Sequence, residues 1–206
     1  MNKLFFDIET IPSAEEYKDV FIEILKKRNG NGTKSDEEIH ASTSFEGTFG
    51  RICCIGIIKE NSQGIIQKEV FSGNEKEILI KFWDAAQGVT RFIGHNIWNF
   101  DFPFIYKRSI INDIRPIPLN FARYRNTPIY DTMMEWELWN TTKAQKLDTL
   151  AKVFGLPTSK DEMDGSMVWK YYQEGKIEEI CRYCMKDVEL TRQVYYKMSF
   201  DEIPKE

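Results

Sequence analysis

Four carboxylates in this chain lie where a folded protein has little reason to place charge. Asp7 and Glu9 fall within Leu4-Phe5-Phe6-Asp7-Ile8-Glu9-Thr10-Ile11-Pro12, and Asp101 within Asn99-Phe100-Asp101-Phe102-Pro103-Phe104. Asp187 falls within Tyr183-Cys184-Met185-Lys186-Asp187-Val188. An unpaired buried carboxylate is costly and is normally neutralised by a partner or a metal. No lysine or arginine accompanies Asp7, Glu9 or Asp101 within its motif. The economical reading is that all four acids converge on divalent cations. An all-oxygen donor set suits Mg²⁺ or Mn²⁺ better than zinc.

Spacing sharpens this reading. Residues two apart on a strand project from the same face, so Asp7 and Glu9 stand side by side while Leu4, Phe6 and Ile8 turn the other way. Two adjacent carboxylates repel unless a cation lies between them or one keeps its proton; the alternative is an exposed strand edge. Ile180, Tyr183, Asp187, Leu190 and Val194 follow a helical stripe, so Asp187 interrupts an apolar face and Tyr183 lies one turn before it. A structural Asp–Tyr pair would give the same pattern. In Gly94-His95-Asn96-Ile97-Trp98-Asn99-Phe100-Asp101, Asn96 can orient a ligand without charge and Phe100 offers a flat face for a base. Asn96 as a helix cap and Phe100 as core are the competing readings. His95 reads as a hydrogen-bonded core residue.

These residues need elements to carry them. Residues 3–9 read as a buried opening strand and 14–28 as a helix with a Tyr17, Phe21, Ile24, Leu25 stripe. The stretch 29–44, rich in Gly, Asn, Ser, Thr and charge, reads as a flexible loop or insertion. Segments 51–59 and 65–71 form an antiparallel hairpin across Asn61-Ser62-Gln63-Gly64. A helix over 75–86, a short strand at 91–94 and a helix around 102–108 follow. Next come a strand at 129–131 and a helix through 139 capped by Asp131 or Thr132, the latter with capping-box spacing to Glu135. Helices over 147–154, 166–173 and 177–197 complete a mixed α/β sheet with helices on its faces.

A chain of 206 residues, 42% hydrophobic and 14% aromatic, supports one core and a single domain over 1–206. No apolar run reaches membrane-spanning length and no signal-peptide pattern opens the chain, so a cytoplasmic, membrane-free protein is expected. The formal charge of −4 argues against coating nucleic acid by bulk electrostatics, but not against gripping one strand end. Lys107, Arg108, Arg115, Arg123 and Arg125 are candidates to line a short groove. Cys53 and Cys54, adjacent on a strand, point to opposite faces, which makes a zinc site with Cys181 and Cys184 awkward. They are read as buried small hydrophobes.

Taken in chain order, the three acidic segments resemble the Asp-x-Glu, Asn-x-x-x-Phe-Asp and Tyr-x-x-x-Asp motifs of the DEDD superfamily of 3′–5′ exonucleases. The likeness is to the bacterial group related to the exonuclease domain of family-B DNA polymerases. Phe49-Gly50-Arg51-Ile52, Leu147-Asp148-Thr149-Leu150-Ala151 and Asp164-Gly165-Ser166-x-Val168-Trp169 add to it. The histidine subtype carries His five residues before the last Asp, where this chain has Arg182; Tyr183 resembles the tyrosine (DEDDy) subtype.

The resemblance implies an RNase H-like fold: a central mixed five-stranded sheet, second strand antiparallel, flanked by helices. It implies two Mg²⁺ or Mn²⁺ ions, with Asp7 bridging, Glu9 and Asp187 on the nucleophile side, and Asp101 holding the other. Tyr183 would orient the water rather than deprotonate it, since a phenol is a poor base at neutral pH. The expected substrate is the 3′ end of single-stranded DNA, held by backbone groups near Thr10 and Ile11 with Asn96 and Phe100. Stacking on an aromatic face predicts little base preference. RNA with the same chemistry, or a catalytically silent nucleic-acid-binding module, are the alternatives; protein partners are unspecified.

Overall fold

The computed structural model describes residues 1–29, 33–158 and 163–204. One sheet of five strands organises it, in the order β3-β2-β1-β4-β5. These are β1 (Lys3–Ile11), β2 (Arg51–Asn61), β3 (Gly64–Ser72), β4 (Arg91–Gly94) and β5 (Ile129–Asp131). β2 runs antiparallel to both neighbours, whereas β4 and β5 run parallel to β1. This is the mixed, RNase H-like α/β sheet expected from the sequence.

Alternation along β1 sends its side chains into two different layers. Leu4, Phe6 and Ile8 join the larger core cluster with Phe82 and Phe102. Those rings come from α3 (Glu75–Ala85) and α4 (Asp101–Ile111). Phe5 packs on the opposite face against Tyr195 of the last helix, α8 (Ile177–Ser199). Asp7 and Glu9 therefore share a face with Phe5 and look toward α8. That helix approaches very closely at Gly56, the residue opposite Asp7 in the ladder. A Cβ there would lie 3.0 Å from Cys184 Sγ and 3.1 Å from Val188 Cγ2.

Several expectations are corrected. Residues 30–32 of the 29–44 segment lie outside the described residues, but from Asp36 onward the segment is helical rather than a loop. Asp36–Ser42 form a helix, α2, followed by a 3-10 turn at Thr43–Phe45. Ser35 and Glu38 make a reciprocal capping box, which outweighs the polar composition. α2 is tied to β1 by the Ser13 N–H donating to Thr43 Oγ1 (2.9 Å), with His40 Nε2 3.1 Å from the Ser13 carbonyl.

The first helix, α1 (Lys18–Asn29), follows a 3-10 turn at Glu15–Tyr17; of the expected stripe it buries Leu25 and packs Phe21 on Phe49, but Tyr17 and Ile24 are exposed and Ile22 is buried instead. α5 stops at Trp136 (Thr132–Trp136) because Leu138 and Trp139 adopt positive φ, and its cap is Asp131 rather than Thr132. α6 (Leu147–Phe154) closes on Gly155 as expected. Residues 165–167 form a 3-10 turn before α7 (Val168–Gln173). No helix among the described residues is long and apolar enough to cross a membrane.

Candidate active site

Three elements bring the predicted acids together. β1 carries Asp7 and Glu9, the middle of α8 carries Tyr183 and Asp187, and the first turn of α4 carries Asp101. One carboxylate oxygen each from Asp7, Glu9 and Asp187 lie within 4.8 Å of one another. Asp101 lies outside that group but beside it, exerting the largest charge effect on Asp7. Asp101 is only 2% exposed, and its Oδ1 accepts the Ile8 N–H at 3.1 Å. β4 pairs with β1 only through Phe5, so this carboxylate satisfies a donor beyond the end of that pairing.

Electrostatically the site is acids crowding acids. Burial, then the charges of Asp101, Glu9 and Asp187, push the Asp7 carboxyl well above its ordinary range. Burial also raises Glu9 strongly, helped by the thiols of Cys184 and Cys53 and by Asp187. Burial raises Asp101 to about 8. Among the described residues no lysine or arginine pairs with Asp7, Glu9 or Asp101. A contact that softens this on Asp7 is the Cys184 thiol, 3.7 Å from Oδ2. Such a donor set, all oxygen and charge-crowded, fits a hard divalent cation.

The Tyr183 hydroxyl bonds to the Asp187 carboxylate, and burial with the nearby acids holds its phenol far above the usual value. Tyr183 and Asp187 open onto a cleft of about 370 Å³ lined also by His95, Asn96, Met133 and residues 144–148. Asn96 is thus in the cleft, with φ +64°. Thr10, Ile11 and Phe100 are not among its lining residues. The Thr10 hydroxyl donates to the Ser44 carbonyl at 2.7 Å, the Ile11 side chain is buried, and Phe100 packs on Phe104. Arg108, a groove candidate, is instead buried and held by Glu75 at 2.7 Å.

Sequence reasoning underrated Asp131. Its carboxylate accepts backbone N–H groups from Asn96 (2.9 Å) and Trp98 (3.0 Å) as well as from Met133 and Met134. It therefore clamps the left-handed turn that presents Asn96. The sequence signal was its place as a cap before α5; its second set of partners is far away in the chain. His95 is hydrogen-bonded through both ring nitrogens, to Thr132 Oγ1 and the Gln145 carbonyl, each at 2.9 Å. Burial lowers it to about 4, so it is neutral and ties the 144–148 wall to the β4 turn.

No curated protein matches the sequence. Among solved structures, the family B DNA polymerase from the hyperthermophilic archaeon Pyrobaculum calidifontis is similar, with a TM-score of 0.64 at 16% identity. The match covers 97% of this chain and 24% of the polymerase, so the chain spans about a quarter of that protein's length. At this identity the likeness speaks for the fold. A family model described as a predicted 3′–5′ exonuclease related to the exonuclease domain of PolB matches residues 45–202. By that match over most of its length, the chain belongs to the family of predicted 3′–5′ exonucleases related to the PolB exonuclease domain.

Proposed function

We propose that this chain is a metal-dependent 3′–5′ exonuclease that removes nucleotides from the 3′ end of single-stranded DNA. The observation that carries the reading is the convergence of Asp7, Glu9 and Asp187 within 4.8 Å, with Asp101 alongside. Membership of the exonuclease-related family points the same way.

Asp7, Glu9 and Asp187 would hold one divalent cation, and Asp7 with Asp101 a second. When bound, such ions supply Lewis-acid activation of water and neutralise charge on the phosphodiester. The chain's own residues do the rest. The Tyr183 hydroxyl, oriented by Asp187, positions the attacking water and keeps its proton, because its environment disfavours the phenolate. Asn96 faces the cleft with its backbone fixed by Asp131, ready to hydrogen-bond the terminal nucleotide. Lys146, on the cleft wall, suits a neighbouring phosphate. Phe100 and the backbone at Thr10 and Ile11 lie outside the cleft's lining and act through the turn and strand they belong to.

The test uses 5′-labelled single-stranded DNA and RNA with Mg²⁺, Mn²⁺ or EDTA. A descending ladder on DNA that disappears with EDTA is expected. Faster shortening of RNA would reassign the substrate. Oligonucleotide binding with no hydrolysis in Mn²⁺ would make the chain a binding module.

A further inference from the structure

Behind the carboxylates lies a group of thiols that the proposed hydrolysis does not use. The Cys54 thiol on β2 packs in one cluster with Cys53 beside it and Cys184 of α8, with Cys181 of the same helix against it, and it interacts with all three thiols. A bulge allows this. Glu9 pairs with Cys54 and Thr10 with Ile52, so Cys53 is an extra residue and strict alternation is broken. Cys53, Cys54 and Cys184 are buried, whereas Cys181 is only half-buried. The sequence-based reading of all four as buried hydrophobes therefore fails at Cys181. Among the described residues no three of these sulfurs are close enough to share a cation; that condition is met only by Asp7, Glu9 and Asp187. The arrangement is suited to pairing, not to metal binding.

We propose that Cys181 and Cys54 are an oxidation site, converted by hydroperoxides into a disulfide that fastens the start of α8 to β2. Cys181 is the reachable member, and Cys54 lies in the cluster it packs against and acts on it most strongly. Its hydrogen bonds with Cys54 and Ser72 lower the Cys181 thiol to about 7, so a substantial fraction is thiolate at neutral pH.

The steps balance. The Cys181 thiolate attacks one peroxide oxygen, an S–O bond forms, the O–O bond breaks, and the departing oxygen leaves as water or an alcohol after protonation. Cys54 then attacks the sulfenic sulfur, the S–S bond forms, the S–O bond breaks, and hydroxide leaves with the Cys54 proton as water. Two electrons pass from the two thiols to the peroxide. Cys184 is the less suitable resolving thiol, because its sulfur is engaged with the Asp7 carbonyl (3.4 Å) and carboxylate.

The bond would also reach the carboxylates. Cys54 is the ladder partner of Glu9, and it packs in one cluster with Cys184, which touches Asp7. This second step rests on the carboxylates being the metal site.

The native chain is treated with dilute hydrogen peroxide at neutral pH, alkylated, and mapped by peptide mass spectrometry. A Cys54–Cys181 crosslink that dithiothreitol reverses is expected, and Cys181→Ser should yield none. Should that variant fail to fold, alkylating Cys181 in the native wild-type chain before peroxide serves the same purpose. A Cys181–Cys184 crosslink, or Cys181 driven to sulfinic acid with Cys54 still free, overturns the assignment. Mn²⁺ binding by reduced and oxidised chain is then compared. Weaker binding after oxidation supports the link to the carboxylates and equal binding overturns it. No binding by the reduced chain defeats the metal-site reading while leaving the disulfide, which is read by mass alone.

Discussion

A single buried acid and a cluster of buried and half-buried acids sit along the same strand pair and under the same helix, and they are treated oppositely. Where β1 begins and β2 ends, Glu60 is fully buried, yet Arg192 Nε of α8 donates to it at 2.7 Å. Tyr196 also donates to Glu60, and Lys3 Nζ lies 3.8 Å away. Further along, Asp7 and Glu9 meet Asp187 from that same helix, an acid where the other end has a cation. Their surroundings raise both carboxyls instead of stabilising their charge. A buried acid with its own cation is structural; Asp7 and Glu9, with which no lysine or arginine among the described residues pairs, are stable as charge only when a cation is supplied to them. The difference separates fold-holding acids from candidate catalytic ones more sharply than burial does.

Matched isosteric changes test that contrast. Asp7→Asn should cut 3′-end cleavage on the order of 10³-fold, since it removes a central charge-stabilising group. In metal-free buffer near neutral pH the same variant should melt higher than wild type, because it relieves repulsion. Glu60→Gln should do the reverse, losing about 3 kcal/mol of stability in denaturant melts by leaving Arg192 buried and uncompensated. Stability changes of the same sign in the two variants would break the comparison.

A finer test is Tyr183→Phe. It should slow cleavage roughly 10-fold while Mn²⁺ affinity stays at the wild-type value, because only an orienting hydroxyl is lost. Unchanged turnover would remove Tyr183 from the mechanism.

The smallest effect is in pH dependence. Asp101 is raised from 3.8 to about 8 by burial. Between those values the native state holds a proton that the unfolded chain has released, so stability falls as pH rises through the window. Metal-free protein should therefore melt roughly 5 °C lower near pH 8 than near pH 5, and Mg²⁺ or Mn²⁺ should recover that loss. At the Glu60 end no such metal effect is expected. A melting temperature that does not respond to the cation at pH 8 would count against the site.

Some features were legible because they are local. The opening strand, the hairpin and the terminal helix follow from apolar runs, turn residues and periodicity, and the Asp7/Glu9 pair needs only strand alternation. The polar stretch before Phe45 misled because composition was weighed above its Ser35-x-x-Glu38 signature, which was there to be read. Asp131 was one of two candidate caps, with Thr132, but its grip on Asn96 and Trp98 depends on β4 and β5 lying side by side. In the sequence Glu60 lies between the 51–59 strand and the turn at Asn61, with nothing local to mark it as buried. Its burial, and the partners that neutralise it, come from a helix more than a hundred residues later in the chain.

The sequence by itself determined which residue types were available, which face of β1 the acids take, and which helix stripe carries Tyr183 and Asp187. These depend on backbone repeats of two and 3.6 residues, which distant contacts do not alter. Only the tertiary structure decided that Glu60 meets Arg192 while Asp7 and Glu9 meet further acids. It also decided that the thiols meet. Charge compensation is a matter of distances between side chains on different elements, and no local period encodes it.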